Sequence, residues 1–454
     1  MSCPMPAKRD LTQGSIPRGL LAFALPLILG NLLQQLYNLA DTWVVGRFIG
    51  EGALAAVGSS YTLMTFLTSI LLGLCMGSSV YFAIQFGRRD PGKLRNGIFQ
   101  SFLLIGALTL LLCLIVYLAL EGILVLLHIP ADVTDLTRIY LTWVFGGIPA
   151  TFLYNYFANL LRAVGNSATP LLFLGVAVVL NIGLDLLFVL PLGMGVMGAA
   201  LATVIAQYIA GLGLALYTWR AFPDLRVGRA DCRWDRTALG NLLNLSLFTC
   251  LQQSVMNFGI LMIQGLVNSF GTAVMAAFAV AVKIDTIAYM PVQDFGNAFS
   301  TFVAQNYGAG QRGRIRGGIR WAVFWVVVFC LVMGGLVCLL APWLMAVFVG
   351  AEATEVIAIG VGYLRIEGAF YLGIGILFLL YGYFRAVDRP AVSVILTVCS
   401  LGTRVVLAYA LSPLPALGVT AIWAAIPIGW FFADAVGIAL WRREDRAAER
   451  SAEG

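Results

Sequence analysis

The sequence predicts an all-α polytopic membrane protein with twelve transmembrane helices. Its 454 residues are 60% hydrophobic and 11% charged. The mean hydropathy of +0.91 is typical of membrane proteins rather than of soluble domains. Because about 20 apolar residues cross a bilayer as a helix, the spans can be counted from the apolar stretches. These stretches fall at about 17–47, 53–85, 95–120, 136–161, 169–190, 196–219, 239–267, 273–304, 318–348, 355–384, 390–411 and 416–441.

Basic residues indicate the orientation of these helices. Cytoplasmic loops are enriched in Lys and Arg, and most of the 28 Lys and Arg residues lie in the tails or in connections after even-numbered helices. The outward connections are short and carry acids such as Glu121 and Glu355. We therefore expect both termini in the cytoplasm. This placement assigns the net charge of +6 to membrane topology and not to a nucleic-acid partner.

The two halves of the chain resemble each other. IQFGRRDPGKLRNG (84–97) corresponds to AQNYGAGQRGRIRGG (304–318), and LLRAVGNSATP (160–170) corresponds to YFRAVDRP (383–390). A duplicated six-helix unit enters the membrane twice from the same side, and in such transporters the substrate path lies between two pseudo-symmetric lobes. We predict a cytoplasmic tail at 1–16, lobes at 17–219 and 239–441, a cytoplasmic linker at 220–238 and a second tail at 442–454.

Helix 1 contains one carboxylate, Asp41, and a proline, Pro26, that predicts a bend in the helix. Helix 5 contains a second carboxylate, Asp185, at nearly the same predicted depth. An unused aspartate in a bilayer costs about 3 kcal/mol on insertion scales, so both are expected to function. Such a pair can exchange a proton or ligate sodium, which predicts a cation-coupling site, whereas the alternative is a hydrogen-bond network that only packs helices. Neighbouring amides and hydroxyls complete the predicted site, namely Tyr37, Asn38, Asn181 and Thr203.

The second lobe does not repeat this arrangement. At the repeat offset, Asp41 corresponds to Gly259 and Asn181 corresponds to Arg404. We predict a structural ion-pair network for Lys283, Asp285 and Arg404, with a role in transport as the alternative. Glu367 fits the two interpretations equally.

The whole chain resembles the multidrug and toxic compound extrusion (MATE) family of transporters. The resemblance is carried by LTQGSIPRGLLAFALPLILGNLLQQLYNLADTWVVGRFIG (11–50), RAVGNSATP (162–170), NIGLDLLFV (181–189) and QDFGNAFSTFVAQNYGAG (293–310). It implies two six-helix lobes arranged as a V around a central cleft. It also implies export of drugs or toxic organic cations against an inward proton or sodium gradient, without a cofactor.

The resemblance also implies particular site residues. The matching positions of the first-lobe cation site are Tyr37, Asp41, Asn181, Asp185 and Thr203, with Pro26 as the bending proline. Family members with a second-lobe sodium site carry an acid on helix 7, whereas this chain has amides there, so we expect coupling in the first lobe. The drug cleft is expected to include residues for which ordinary packing is the alternative, namely Gln34, Tyr61, Met64, Gln253, Met256 and Met290.

Other classes of function are less well supported by the sequence. A flippase for lipid-linked oligosaccharides, the alternative transporter, would need several basic groups to hold a pyrophosphate. Each deep basic residue here, Lys283, Arg365 or Arg404, has an acid at similar depth. The sequence contains no HExxH, DDxxD or GxxxxGK[ST] motif, which argues against an enzyme. We expect a monomer in a bacterial cytoplasmic (inner) membrane, with no metal other than monovalent sodium at Asp41 and Asp185.

Overall fold

The computed structural model describes residues 10–126, 129, 133–350 and 352–453, and their regular structure is helical. In the first half the helices are α1 (Ile16–Phe48), α2 (Glu51–Gly87), α3 (Pro91–Leu118), α4 (Leu120–Leu126), α5 (Thr134–Phe145), α6 (Ile148–Ala163), α7 (Ala168–Val189) and α8 (Gly195–Ala221). In the second half they are α9 (Arg236–Asn268), α10 (Thr272–Gly308), α11 (Arg312–Val349), α12 (Thr354–Ala369), α13 (Tyr371–Ala386), α14 (Pro390–Leu411) and α15 (Gly418–Glu453). Residues 1–9 of the predicted first tail and Gly454 of the second lie outside the described residues.

The described helices account for the predicted spans, with one difference. Among the described residues, ten helices are long and apolar enough to cross a membrane, and an eleventh span results if α12 and α13, bent by 53° where they meet, are counted as one. The predicted span at 136–161 corresponds instead to two short helices, α5 and α6, separated by Gly146 and Gly147. Pro149 in the first turn of α6 explains this break, because its ring would clash with the carbonyl of Phe145 in a continuous helix.

The described residues divide into two compact units. The first contains the residues up to Gly14, Leu21–Cys250 and Ala304–Gly310, and the second contains Ser15–Leu20, Leu251–Val303 and the residues from Gln311 onward. The first unit therefore includes the N-terminal half of α9, whose Ser246 hydroxyl lies 2.9 Å from the Ser78 hydroxyl of α2. The lobe boundaries taken from the repeat stay a prediction.

Corresponding ends of the two sequence copies cross in the first unit, where the last turn of α10 meets the end of α2. A Cβ atom added to Gly87 would meet the carbonyl oxygen of Gln305, and one added to Gly308 would meet that of Ile84. Each glycine thus makes room for the backbone of the other helix. The buried Gln305 side chain accepts a hydrogen bond from the Leu11 N–H at 3.1 Å and donates one to the Ala163 carbonyl at 2.7 Å.

The predicted linker at 220–238 contains two 3-10 helices, Pro223–Leu225 and Arg229–Asp231. It is tied to the start of α3, where Arg95 Nε lies 2.9 Å from a carboxylate oxygen of Asp231. Asn96 Nδ2 donates to the backbone carbonyls of Asp231 and Arg233 at 2.9 and 2.7 Å. Within the first unit, the segment is therefore held against the start of α3 by a charged pair and two amide hydrogen bonds.

Candidate functional site

An apolar cluster joins the C-terminal half of α1 to α2, α5, α7 and α8. Asp41 precedes Val45 of this cluster by one helical turn, and Asp185 precedes Val189 by one turn. Packing of the two valines therefore brings both carboxylates to the same place in the first unit. The cluster consists of Val44, Val45, Ala53, Val57, Tyr140, Val144, Val189, Val196, Ala199 and Ala200.

The carboxyl groups of Asp41 and Asp185 face each other. Asp185 is 0% exposed, Asp41 is partly buried, and the two groups lie within hydrogen-bonding range of each other. In the part of the chain that the structure describes, neither oxygen of Asp185 receives a hydrogen bond from an N–H or O–H donor, nor does Oδ1 of Asp41. Two buried carboxylates this close repel each other unless a proton or another cation lies between them.

Three of the predicted polar neighbours join this pair. Asn181, one turn before Asp185 on α7, is buried and donates from Nδ2 to Thr203 Oγ1 of α8 at 3.3 Å. The Tyr37 hydroxyl lies near the Thr203 side chain and interacts electrostatically with Asp41 and Asp185. The Oδ1 atom of Asn181 is buried without a donor among the described residues, so it adds another oxygen that can ligate a cation.

Asn38, predicted for the same site, makes a different contact. Its backbone carbonyl accepts a hydrogen bond from Thr42 Oγ1 at 2.7 Å. Asn38 precedes Asp41 by three residues, so the two lie on neighbouring parts of one face of α1, and the role of the Asn38 amide in the site stays a prediction. Pro26 lies inside α1, which continues as a helix on both sides of it.

Tyr140 on α5 belongs to the site and was not predicted from the sequence. Its side chain is buried and interacts electrostatically with Tyr37, Asp41 and Asp185. The residue is one of several tyrosines in apolar helices, so its residue type alone did not distinguish it. Its position on a short helix that packs in the apolar cluster places it beside the carboxylates.

The second unit contains another buried acidic group. Asp285 of α10 is 5% exposed and accepts hydrogen bonds from the Tyr371 hydroxyl at 2.7 Å and the Tyr363 hydroxyl at 3.3 Å. Glu367 of α12 is 0% exposed, and neither of its oxygens has a donor within the described ranges. Arg404 of α14 is partly buried and interacts electrostatically with both acids.

This arrangement differs from the predicted ion-pair network of Lys283, Asp285 and Arg404. Among the described residues, neither basic side chain lies within 4.0 Å of the Asp285 carboxylate, which is held by two phenols instead. The Lys283 side chain is exposed and takes no part in these contacts. A phenol satisfies a buried carboxylate oxygen by donating a hydrogen bond without bringing a second charge into the apolar bundle.

The residues expected to line a drug cleft differ in how far they are buried. Met64 is partly buried and packs against the apolar cluster of the first unit, as the packing alternative predicts. Tyr61 is 55% exposed and Met290 is buried. The other three, Gln34, Gln253 and Met256, are partly buried. Their role in a cleft stays a prediction.

Comparison with known proteins identifies the family. A family model described as MatE matches residues 26–187 and, a second time, residues 246–410. The chain belongs to the MATE family. The two matched segments of this MATE protein begin at residues 26 and 246. Their separation along the chain lies between that of Asp41 and Gly259 and that of Asn181 and Arg404, the pairs used to define the predicted repeat.

Relatives of this MATE protein are named for drug resistance. The chain is 30% identical over 378 residues to "Probable multidrug resistance protein YpnP" of Bacillus subtilis, covering 83% of this chain and 84% of the relative. It is 28% identical to "Probable multidrug resistance protein YoeA" of the same organism, covering 91% and 90% of the two chains. A crystal structure of MATE in the bent conformation aligns with a TM-score of 0.92 and 23% identity, covering 98% of this chain and 99% of that one.

These comparisons confirm the all-α polytopic fold class and the family resemblance. The chain is a multi-pass membrane protein of a transporter family, and several of its relatives are named as multidrug resistance or multidrug export proteins. MATE transporters are not enzymes and need no cofactor, so the chain is assigned to transport by membership in that family.

Proposed function

We propose that this MATE protein is a secondary active multidrug exporter that couples drug release to binding of a proton or sodium ion at Asp41 and Asp185. The proposal depends on one observation, the carboxyl pair of the first unit, in which both oxygens of Asp185 and Oδ1 of Asp41 lack hydrogen-bond donors among the described residues. A buried acid without a function is selected against in a membrane helix because of its insertion cost. The expected substrates are amphipathic organic cations.

The same oxygens can accept either coupling ion. A proton shared between Asp41 and Asp185 removes their repulsion, while sodium could take oxygens from both carboxylates and from Asn181 Oδ1. Tyr37, Thr203 and Tyr140 surround the pair with hydroxyl groups that can reorient toward either ion. The exchange of this small cation for drug would supply the energy for uphill export.

Helix α1 provides a physical link between cation and drug. It carries Asp41 and Tyr37 of the coupling site, Gln34 of the expected cleft about two turns before Asp41, and Pro26 about four turns before Asp41. A ligand shifts a conformational equilibrium only if its affinities for the two conformations differ. We therefore propose that the cation and the drug favour different conformations of α1, so that binding of one releases the other.

The test is transport of ethidium by proteoliposomes under an imposed proton or sodium gradient. Wild type is expected to move ethidium under one gradient, which identifies the coupling ion, while Asp41→Asn and Asp185→Asn are expected to move it no faster than without a gradient. Glu355→Gln, which neutralises an exposed acid at the start of α12, is the matched control and is expected to behave as wild type.

Two outcomes would contradict the proposal. Gradient-driven efflux that survives both aspartate substitutions would exclude the first-unit carboxylates as the coupling site. Absence of ethidium transport under either gradient, combined with movement of a lipid-linked oligosaccharide, would favour the flippase alternative. We further propose a monomer in the bacterial inner membrane with both termini in the cytoplasm, which cysteine labelling from either side would test.

A further inference from the structure

Arg404 lies beside the acids of the second unit at the sequence position that corresponds to Asn181 of the first-unit site. Asn181 lies on α7, and Arg404 lies on α14. The guanidinium is partly buried, and its Nε atom is buried without a hydrogen-bond acceptor in the described part of the chain. The duplicated position thus provides a neutral amide in one unit and a permanent cation in the other.

Two acids interact with this guanidinium. Asp285 is held by the hydroxyls of Tyr371 and Tyr363, whereas Glu367 is fully buried and its two oxygens accept no hydrogen bond from the described residues. Both acids interact electrostatically with Arg404 and with each other. The further titratable groups that interact with them are phenols, namely Tyr289, Tyr363 and Tyr371.

The two units therefore differ in fixed charge. In the first unit, the groups that interact electrostatically with Asp41 and Asp185 are the phenols of Tyr37 and Tyr140, and no basic side chain of the described residues is among them, so a positive charge must come from outside the chain. In the second unit, the guanidinium compensates one carboxylate, and the other carboxyl group can remain neutral by keeping a proton. A sodium ion entering the second unit would also be repelled by Arg404, because arginine keeps its charge in proteins.

We propose that Arg404 is a resident counter-cation that prevents the Asp285–Glu367 pair from taking a further cation, beyond the proton that one carboxyl group keeps, and thereby confines coupling to the first unit. The statement that coupling is confined to the first unit rests on the proposed antiport function. The occupancy of the second-unit pair is a property of this unit and can be measured separately. Removing the guanidinium charge should leave one uncompensated negative charge, which then takes a sodium ion or a proton.

The experiment uses full-length protein in lipid nanodiscs with the first-unit site removed by Asp41→Asn and Asp185→Asn. Binding of radioactive sodium and the number of protons bound near pH 7 are measured before and after adding Arg404→Gln. We expect the added substitution to lower the sodium dissociation constant about tenfold or more, or to add about one bound proton per protein. Further addition of Glu367→Gln should abolish the gain.

Two matched variants separate the local charge from a general effect. Lys283→Gln removes an exposed positive charge from α10 and is expected to give no gain. Arg404→Lys keeps the charge and is also expected to give none. If Arg404→Gln does not yield a monodisperse protein, Arg404→Met replaces it in the same comparison.

The proposal is overturned if removal of the Arg404 charge adds neither sodium nor a proton. It is also overturned if the protein with an intact Arg404 already binds sodium in a manner that Glu367→Gln abolishes. Failure of the antiport proposal would be seen separately, as wild-type ethidium transport that neither gradient drives.

Discussion

Substitution of Gln305 by Leu tests the hydrogen bonds that hold the end of α10 in the first unit. The amide accepts from the Leu11 N–H at 3.1 Å and donates to the Ala163 carbonyl at 2.7 Å. Gln305, Leu11 and Ala163 are all buried, so water cannot readily replace the lost partner. Each backbone group left unsatisfied costs about 1–3 kcal/mol, and Gln305→Leu leaves two of them, which predicts a loss of about 2–6 kcal/mol.

The loss is measured as a change in the free energy of unfolding in mixed micelles, with thermal unfolding in nanodiscs as a second measurement. Gln305→Glu keeps an acceptor for Leu11 and loses the donor to Ala163, so its carboxylate is expected to destabilise through the second bond and through its buried charge. The control is Gln264→Leu, because the Gln264 amide donates to Asn268 at an exposed site four residues away on α9. Such a pair contributes only about 0.2–0.5 kcal/mol.

Equal destabilisation by Gln305→Leu and Gln264→Leu would refute this reasoning. It would mean that the two buried backbone groups find other partners when the amide is removed. The same side chain is exchanged for the same replacement at both positions, so the contrast depends on the buried backbone hydrogen bonds that only Gln305 makes.

Three further predictions follow from single contacts. Gly308→Leu is expected to abolish the monodisperse protein peak in size-exclusion chromatography, because its side chain would meet the α2 backbone, while Gly313→Leu at an open position of α11 is expected to preserve it. Tyr371→Phe removes the 2.7 Å hydrogen bond to buried Asp285 and is expected to lower the free energy of unfolding by about 1.5–3 kcal/mol. Tyr140→Phe is expected to weaken binding of the coupling ion while leaving thermal stability within a few degrees of wild type, and unchanged ion binding would remove Tyr140 from the site.

Much of the fold could be predicted from the sequence because hydropathy acts on each span separately. Any stretch of sufficient length and apolar content enters the bilayer as a helix, whatever its neighbours are. The break between α5 and α6 was missed because apolar content is the same on both sides of it. The local signal was the pair of glycines followed by Pro149, which ends a helix for steric reasons that hydropathy does not measure.

The candidate site was predicted only in part, for a related reason. Asp41 and Asp185 could be paired because carboxylates are rare in apolar helices and their depth follows from the helical rise. The phenols of Tyr140, Tyr363 and Tyr371 could not be assigned, since tyrosine is common in membrane helices and its contacts depend on how helices rotate against each other. A hydrogen bond from Tyr371 to Asp285 is a property of α10 and α13 together, and neither sequence alone contains it.

In the second half of the chain, the position that corresponds to Asp41 of α1 has neither a carboxylate nor room for one. Gly259 on α9 corresponds to Asp41, and a Cβ atom added there would lie 2.7 Å from Leu401 Cδ1 of α14. Leu401 is buried, so its side chain fills the position of the missing carboxylate with apolar packing. About one helical turn after Leu401, α14 carries Arg404, which interacts electrostatically with Asp285 and Glu367. On the role proposed for Arg404, the second unit has apolar packing and a cation of its own where the first unit has an acid that takes an external cation, so two similar units need not carry two copies of one site.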